Sequence, residues 1–324
     1  MKIITNISNS SFDLSRYRDN ADLKQFYRSL KLDGLEVIDA LGADENDIIQ
    51  DDDILGVHLR YFNEWMSIWN GDMAALSAEY GSDESIKYIF GGRTREDFLK
   101  SCKKNISFVS NYNPQYMVFH VSNATLSQTI TRIKKHGDDE VVTAAINVIN
   151  SLFNLQTQLT NNDCLLLFEN LWWSGMTMLD PKLTQRLLSG VHYKNKGVML
   201  DIGHLLHTNT KLRTQDEAVD FIHSVLDRYD NLDFIKGIHL HQSLSGEYAE
   251  SVMSNPPEIP QGDYAQKAIA LHDHIIKVDT HKPFTSKKIA GIVERVAPEY
   301  LVLEFITKSR EEHSAYITDQ MRYL

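Results

Sequence analysis

The chain is poor in most of the features that settle a protein's class at once. Two cysteines in 324 residues, Cys102 and Cys164, exclude a disulfide framework. They make a reducing cytoplasm the expected location. Seven prolines leave no stretch that reads as an interdomain linker. No apolar run approaches the roughly 18 residues of a membrane span, so no membrane partner is expected. The opening residues MKIITNIS lack the apolar region of a signal peptide and read as a strand. Bases are outnumbered, 33 against 44 acids, for a formal net charge of −11. That balance disfavours nonspecific DNA binding, which needs a basic footprint, without excluding a local basic patch. No low-complexity tract and no repeat of clear period is visible. The remainder, 42% hydrophobic and 24% charged, is the composition of a globular protein.

What the sequence does have is one pattern used six times. Residues 198–206 read VMLDIGHLL: a short apolar run, then Asp201, then His204 three positions on. An acid ending a buried strand is costly unless something pairs with it. A metal ion would do so, since carboxylate oxygen and imidazole nitrogen both bind zinc or iron. Taken alone, Asp-x-x-His is as readily a helix N-cap and a surface histidine. The pattern recurs, however, in residues 54–60 with His58, 116–122 with His120, 164–170 with Glu169, 235–242 with His239, and 300–306 with Glu304. Residues 2–8 and 34–40 supply two further strands. Glu36, inside the latter, faces either inward to support a site or outward to solvent. His239 and His241 alternate with Leu240 and so share one strand face.

Helical spacing marks residues 20–32, 96–112, 141–159, 215–228, 263–276 and 287–296. A shorter helix at 181–188 opens on Asp180-Pro181, an N-cap and first-turn pair. Residues 244–261, polar and carrying Pro256, Pro257 and Pro260, read as a long loop. Residues 61–95 form an aromatic-rich insertion with Tyr61, Phe62, Trp65, Trp69, Tyr80, Tyr88 and Phe90. It is either extra helix packed on the barrel or a lid facing substrate, and it is expected to lean over the strand ends. Trp172, Trp173, His241 and Arg93 are candidate substrate contacts.

Eight strands alternating with helices predict a (β/α)8 barrel, one domain over residues 1–324. Chemistry in that fold sits at the carboxyl ends of the strands. His58, His120, Glu169, Asp201, His239 and Glu304 lie there, and His204, Asp279 and His281 lie on the loops that follow. One zinc takes about four to five ligands. Nine candidates therefore imply two or three ions, with a carboxylate bridging.

This ordered set resembles the metal signature of the xylose isomerase-like, AP endonuclease family 2 barrels, and all nine positions match the endonuclease IV-type ligand set in chain order. The resemblance spans nearly the whole chain. It implies that Glu169 bridges two metals, that His58 and His120 complete one site, that Asp201, His239 and Glu304 form a second, and that His204, Asp279 and His281 hold a third. It also implies zinc, with manganese or iron as alternatives. The chain departs from the repair enzymes in four places. Lys-Pro-Phe-Thr replaces a Gly-rich turn after His281. The gap from His239 to Asp279 is longer. Strand 7 ends His-Leu-His-Gln where those enzymes have His-Leu-Asn-Asp. The 61–95 insertion lies beside the mouth.

The departures and the acidic charge favour a small-molecule substrate over DNA. The expected function is metal-assisted phosphoester hydrolysis, in which clustered ions activate a water. The alternative is a sugar or sugar-phosphate isomerase or epimerase with one divalent metal, Glu169 and Glu304 moving protons. An AP-endonuclease-type nuclease, an iron-dependent oxidase and a non-enzymatic metal scaffold are further alternatives. Oligomeric state is not legible.

Overall fold

The computed structural model describes residues 1–40, 46–153, 164–258 and 264–324. Eight parallel strands close into a barrel: β1 (Lys2–Ser8), β2 (Gly34–Ile38), β3 (Ile54–His58), β4 (Tyr116–His120), β5 (Leu165–Glu169), β6 (Lys196–Asp201), β7 (Ile235–Leu240) and β8 (Tyr300–Leu303). They pair in sequence order, and β8 closes on β1. Helices surround them, as the (β/α)8 expectation requires.

Period-two alternation decides what fills the barrel. Ile4, Tyr116, Val118, Leu167, Met199, Tyr300 and Val302 form the inner core. Two residues further along each strand, the same face presents His120 after Val118, Glu169 after Leu167, Asp201 after Met199 and Glu304 after Val302. The candidate ligands are thus the top inward layer of an otherwise apolar stack. Gly56, one layer below His58, is obligatory: a Cβ there would lie 2.0 Å from the Tyr116 ring.

Outside, helices bury apolar stripes against the strands. Asp138–Leu152 turns Val141, Ala145, Val148, Ile149 and Leu152 inward. Side-chain caps fix helix starts, as at Thr94, which forms a capping box with Asp97, and at Asp180, followed by Pro181. Such a cap is worth about 1 kcal/mol.

Three expectations are corrected. Residues 244–261 are not one long loop, because Gly246–Ser254 is a helix with Ala249 and Val252 buried; its polar composition and the prolines beyond it masked a one-sided apolar face. The helix expected at 141–159 is seen as Asp138–Leu152, and positions 154–159 lie outside the described residues. His241 stands one residue beyond the end of β7.

The 61–95 segment forms three short helices, Trp65–Asn70, Met73–Tyr80 and Asp83–Phe90. Phe62, Trp65, Tyr80 and Phe90 are buried, clustering with one another and Phe98. They join the main core with Leu59, Val109 and Val148, which is the packing alternative. Tyr61 behaves differently: its ring lies 4.8 Å from that of His120.

Candidate metal centre

Register sets the neighbours at the mouth. His120 lies opposite Glu169 across β4 and β5, and Asp201 opposite His239 across β6 and β7. Glu169 is central, and its two oxygens face different histidines. Oε2 is 2.8 Å from Nε2 of His58 and 3.4 Å from Nε2 of His120. Oε1 is 3.0 Å from Nδ1 of His204 and 3.6 Å from Nδ1 of His239.

Asp201 is the helix N-cap of its second reading, but His204 is buried and not on the surface. Oδ1 accepts from the backbone N–H of His204 at 2.6 Å and caps helix Ile202–Leu206. Oδ2 faces Nδ1 of His239 at 3.6 Å and Nε2 of His241 at 3.0 Å. Asn170 braces this turn, donating to the carbonyl of Asp201 and accepting from its N–H.

The loop residues arrive by a separate device. Gln242 and Lys282 form an isolated antiparallel bridge, with Gln242 N–H donating to Lys282 at 2.7 Å. This pins residues 279–281 beside the end of β7. His281 is held at φ +43°, a left-handed conformation uncommon outside glycine. Its N–H donates to Ser243 Oγ at 3.1 Å. Nε2 of His204 and Nε2 of His281 then lie 3.1 and 2.9 Å from Oδ2 of Asp279. This triad is assembled as the resemblance implies.

Besides His241, two residues outside the expected nine join the cluster. Glu36 is fully buried and points inward, which resolves its two readings. It accepts from Tyr116 Oη at 2.7 Å and from His239 Nε2 at 3.2 Å. His207 lies 3.4 Å from Oδ1 of Asp279; its signal in the sequence was the three-residue helical spacing from His204. Of the candidate substrate contacts, Trp172 packs 5.1 Å from the His204 ring, and Trp173 stacks 6.3 Å from Tyr61. Arg93 is not brought in: it pairs with Asp83 at 2.6 Å on the insertion, with both side chains exposed.

Five buried carboxylates, Glu36, Glu169, Asp201, Asp279 and Glu304, share this pocket. Burial pushes the Glu169 carboxyl up, yet His120, His239 and His58 together hold it well below its usual range. Burial likewise opposes ionisation of Asp279, and His281 and His204 overcome it. Burial pushes His239 down, but Glu304, Glu36 and Glu169 raise it well above an ordinary histidine. Glu36, Glu169, Asp201 and Asp279 therefore stay ionised.

Hydrogen-bond accounting tests whether these residues fit a cation. A carboxylate only accepts, so His239 must donate its Nε2–H to Glu36. When neutral, His239 then presents its Nδ1 lone pair to Glu304 Oε2 at 3.3 Å and to Glu169 Oε1 and Asp201 Oδ2, each at 3.6 Å. Nδ1 of His239, Oε1 of Glu169 and Oε2 of Glu304 are all buried with no hydrogen-bond partner among the described residues. Three buried polar atoms that meet without a hydrogen bond fit a bound cation. The donor set of imidazoles and carboxylates is that of zinc, iron or manganese.

No protein-family model matches the chain, and no curated protein matches it by sequence. Solved structures do match. Endonuclease IV from Thermus thermophilus is 12% identical over 100% of this chain and 98% of that one, with a TM-score of 0.52. A sugar phosphate isomerase/epimerase from Parabacteroides distasonis is 10% identical over 99% and 92%, with a TM-score of 0.48. A D-tagatose 3-epimerase-like protein is 11% identical over 100% and 97%, with a TM-score of 0.47. The likeness is one of fold, the closed (β/α)8 barrel. No helix among the described residues is long and apolar enough to cross a membrane.

Proposed function

We propose that this barrel is a metal-dependent enzyme that hydrolyses a phosphoester of a small molecule at a centre of two or three clustered ions. The observation that carries the reading is Glu169, whose Oε2 faces His58 and His120 while Oε1 faces His204 and His239. One carboxylate addressing two sets of nitrogens is the arrangement of a bridge. His58, His120 and Glu169 would hold one ion, Asp201, His239, Glu304 and Glu169 a second, and His204, Asp279 and His281 a third. Bound divalent ions would supply Lewis acidity to a water and to the ester oxygens.

The chain's own groups do the rest. Glu36 and Tyr116 orient His239 from beneath, so Nδ1 faces upward into the pocket. Asn170 and the Asp201 cap fix His204. Trp172, Trp173 and Tyr61 make an aromatic wall beside His120 and His204, suited to excluding water around a small substrate. The charge of −11 opposes polyanionic DNA as partner.

A second reading has support from the same pocket. Glu169, Asp201 and Glu304 all approach Nδ1 of His239 within 3.6 Å. That is the donor set of a single-metal sugar isomerase or epimerase, with Glu169 and Glu304 placed to shuttle protons. Metal content per chain separates the two, measured in protein purified without added metal and followed by assay on phosphoesters and on ketoses. Two or three equivalents with phosphate release support hydrolysis. One equivalent with ketose turnover replaces it with isomerisation.

A further inference from the structure

Resting on that clustered-metal reading, we infer that His241 is itself a metal ligand. Its Nε2 joins His239 Nδ1, Asp201 Oδ2 and Glu304 Oε2 around one ion. With the bridging Glu169, the second site thereby holds two histidines and three carboxylates, one nitrogen more than the resemblance implies.

Burial comes first. His241 is fully buried, as are Asp201 and His239 beside it. Its place is built rather than incidental. Gly203, inside the Asp201–His204 turn, leaves room for the ring: a Cβ there would lie 1.9 Å from Cε1 of His241. The opposite face stacks on His281, with centroids 3.7 Å apart and planes within 7°.

Geometry comes second. Nε2 of His241 lies 3.0 Å from Asp201 Oδ2 and 3.7 Å from Glu304 Oε2. Nδ1 of His239 lies 3.6 and 3.3 Å from the same two oxygens. Two atoms each about 2.0–2.2 Å from a shared ion, at ordinary coordination angles, are separated by roughly 3.0–3.7 Å. All four separations fall in that span. His241, His281 and Glu304 also present ligand atoms within 4.8 Å of one another.

Hydrogen bonding comes third. Ser243 Oγ donates its proton to Asp279 Oδ1 at 2.9 Å. It also accepts from the backbone N–H groups of Thr280 and His281, at 3.0 and 3.1 Å, which occupies both of its lone pairs beside Nδ1 of His241, 3.3 Å away. On its other side the ring meets the carboxylates, with Nε2 3.0 Å from Asp201 Oδ2. Glu304 Oε2, buried and without a hydrogen-bond partner among the described residues, faces the same point.

The test is titration of metal-depleted whole protein with Co2+ alone, read by stoichiometry and visible absorption. Wild type is compared with His241→Phe, which keeps a ring against His281, and with His241→Gln. Near-UV circular dichroism checks folding, and if the phenylalanine variant does not fold, the glutamine variant decides. The expected result is two or three equivalents in wild type. Each variant should lose one equivalent, or hold it about tenfold or more weakly, with weakened Co2+ absorption from the lost nitrogen. A folded variant that keeps its full complement, affinity and spectrum overturns the inference and leaves the clustered-metal reading standing. Wild type binding fewer than two ions overturns that reading and the inference with it.

Discussion

Two buried carboxylates, Glu64 and Glu169, divide the molecule's chemistry between them. Both are almost wholly shielded from water. Glu64 accepts from Ser67 Oγ at 2.5 Å, Asn123 Nδ2 at 2.6 Å and Lys135 Nζ at 2.9 Å. Asp39 is similar, taking Asn9, Arg60 and Asn105. These are donors with protons to give and no other use for them. Glu169 instead meets four histidines, and its Oε1 makes no hydrogen bond among the described residues. Glu304 Oε2 sits near it in the same condition. The contrast teaches how to sort buried acids: one satisfied by amides, hydroxyls and lysine is a structural fastening, while one ringed by histidines, with an oxygen left without a hydrogen bond, is the one proposed to await a cation.

The largest effect should come from removing the acid that awaits one. Glu169→Ala should lose more than one metal equivalent, because its two oxygens face different histidines. His281→Ala should lose at most one. Both should cut phosphoester turnover and leave the barrel folded, since the ligands form only the top layer of the stack. Metal analysis of the two purified variants decides this. A Glu169→Ala protein with its full complement would break the comparison and put the single-metal reading ahead.

Glu64→Ala should do the reverse. Asn123, Ser67 and Lys135 lose their acceptor, at a cost of about 3 kcal/mol in stability. Urea denaturation should show the loss, while metal content stays that of wild type. A drop in bound metal here would mean the two clusters are not separate.

That sorting could only partly be read from the sequence. His58, His120, Glu169, Asp201, His239 and Glu304 were legible because a strand buried on both faces is apolar until its end, so a polar residue there stands out. Glu36 was not, because β2 is buried on both faces and a single acid within it has no marked side. Glu64 lay in an insertion whose aromatics drew attention to a lid. His207 offered only its three-residue spacing from His204, and nothing in the sequence placed Asp279, 72 positions away, against it. Contacts of that separation leave no local trace. The helix Gly246–Ser254 was hidden because propensity and polarity outweighed two buried residues, Ala249 and Val252.

A smaller effect sharpens the boundary between ligand and support. Glu36 touches His239 but lies on the side away from the other carboxylates. Glu36→Gln keeps the shape and the bond from Tyr116, but a neutral amide holds the imidazole N–H less firmly. Affinity for one ion should fall about 10- to 100-fold, without change in the number bound. Competition with a chelator of known affinity measures it. If an ion is lost outright, Glu36 belongs among the ligands.

The smallest effect extends the comparison to histidines. His313 is buried like those at the mouth but faces no carboxylate. Its Nε2 lies 2.9 Å from Thr5 Oγ1, and that hydroxyl donates to the carbonyl of Leu303. The hydroxyl therefore accepts, and His313 donates Nε2–H as a neutral ring. Burial, with some help from Arg16, pushes its pKa down to about 4, against about 6.5 in the unfolded chain. Between those values the unfolded state binds the extra proton, so stability rises with pH there and falls as pH drops. The contribution is complete above pH about 6.5, and the loss should be on the order of 1 kcal/mol by pH 5.5. His313→Gln can still donate to Thr5 but cannot titrate, so it should remove that part of the slope while other groups keep theirs. Urea midpoints of both proteins at pH 7.5 and 5.5 test this. Equal losses in the two proteins would mean that His313 is charged in the fold, and that burial without a carboxylate does not keep a histidine neutral here.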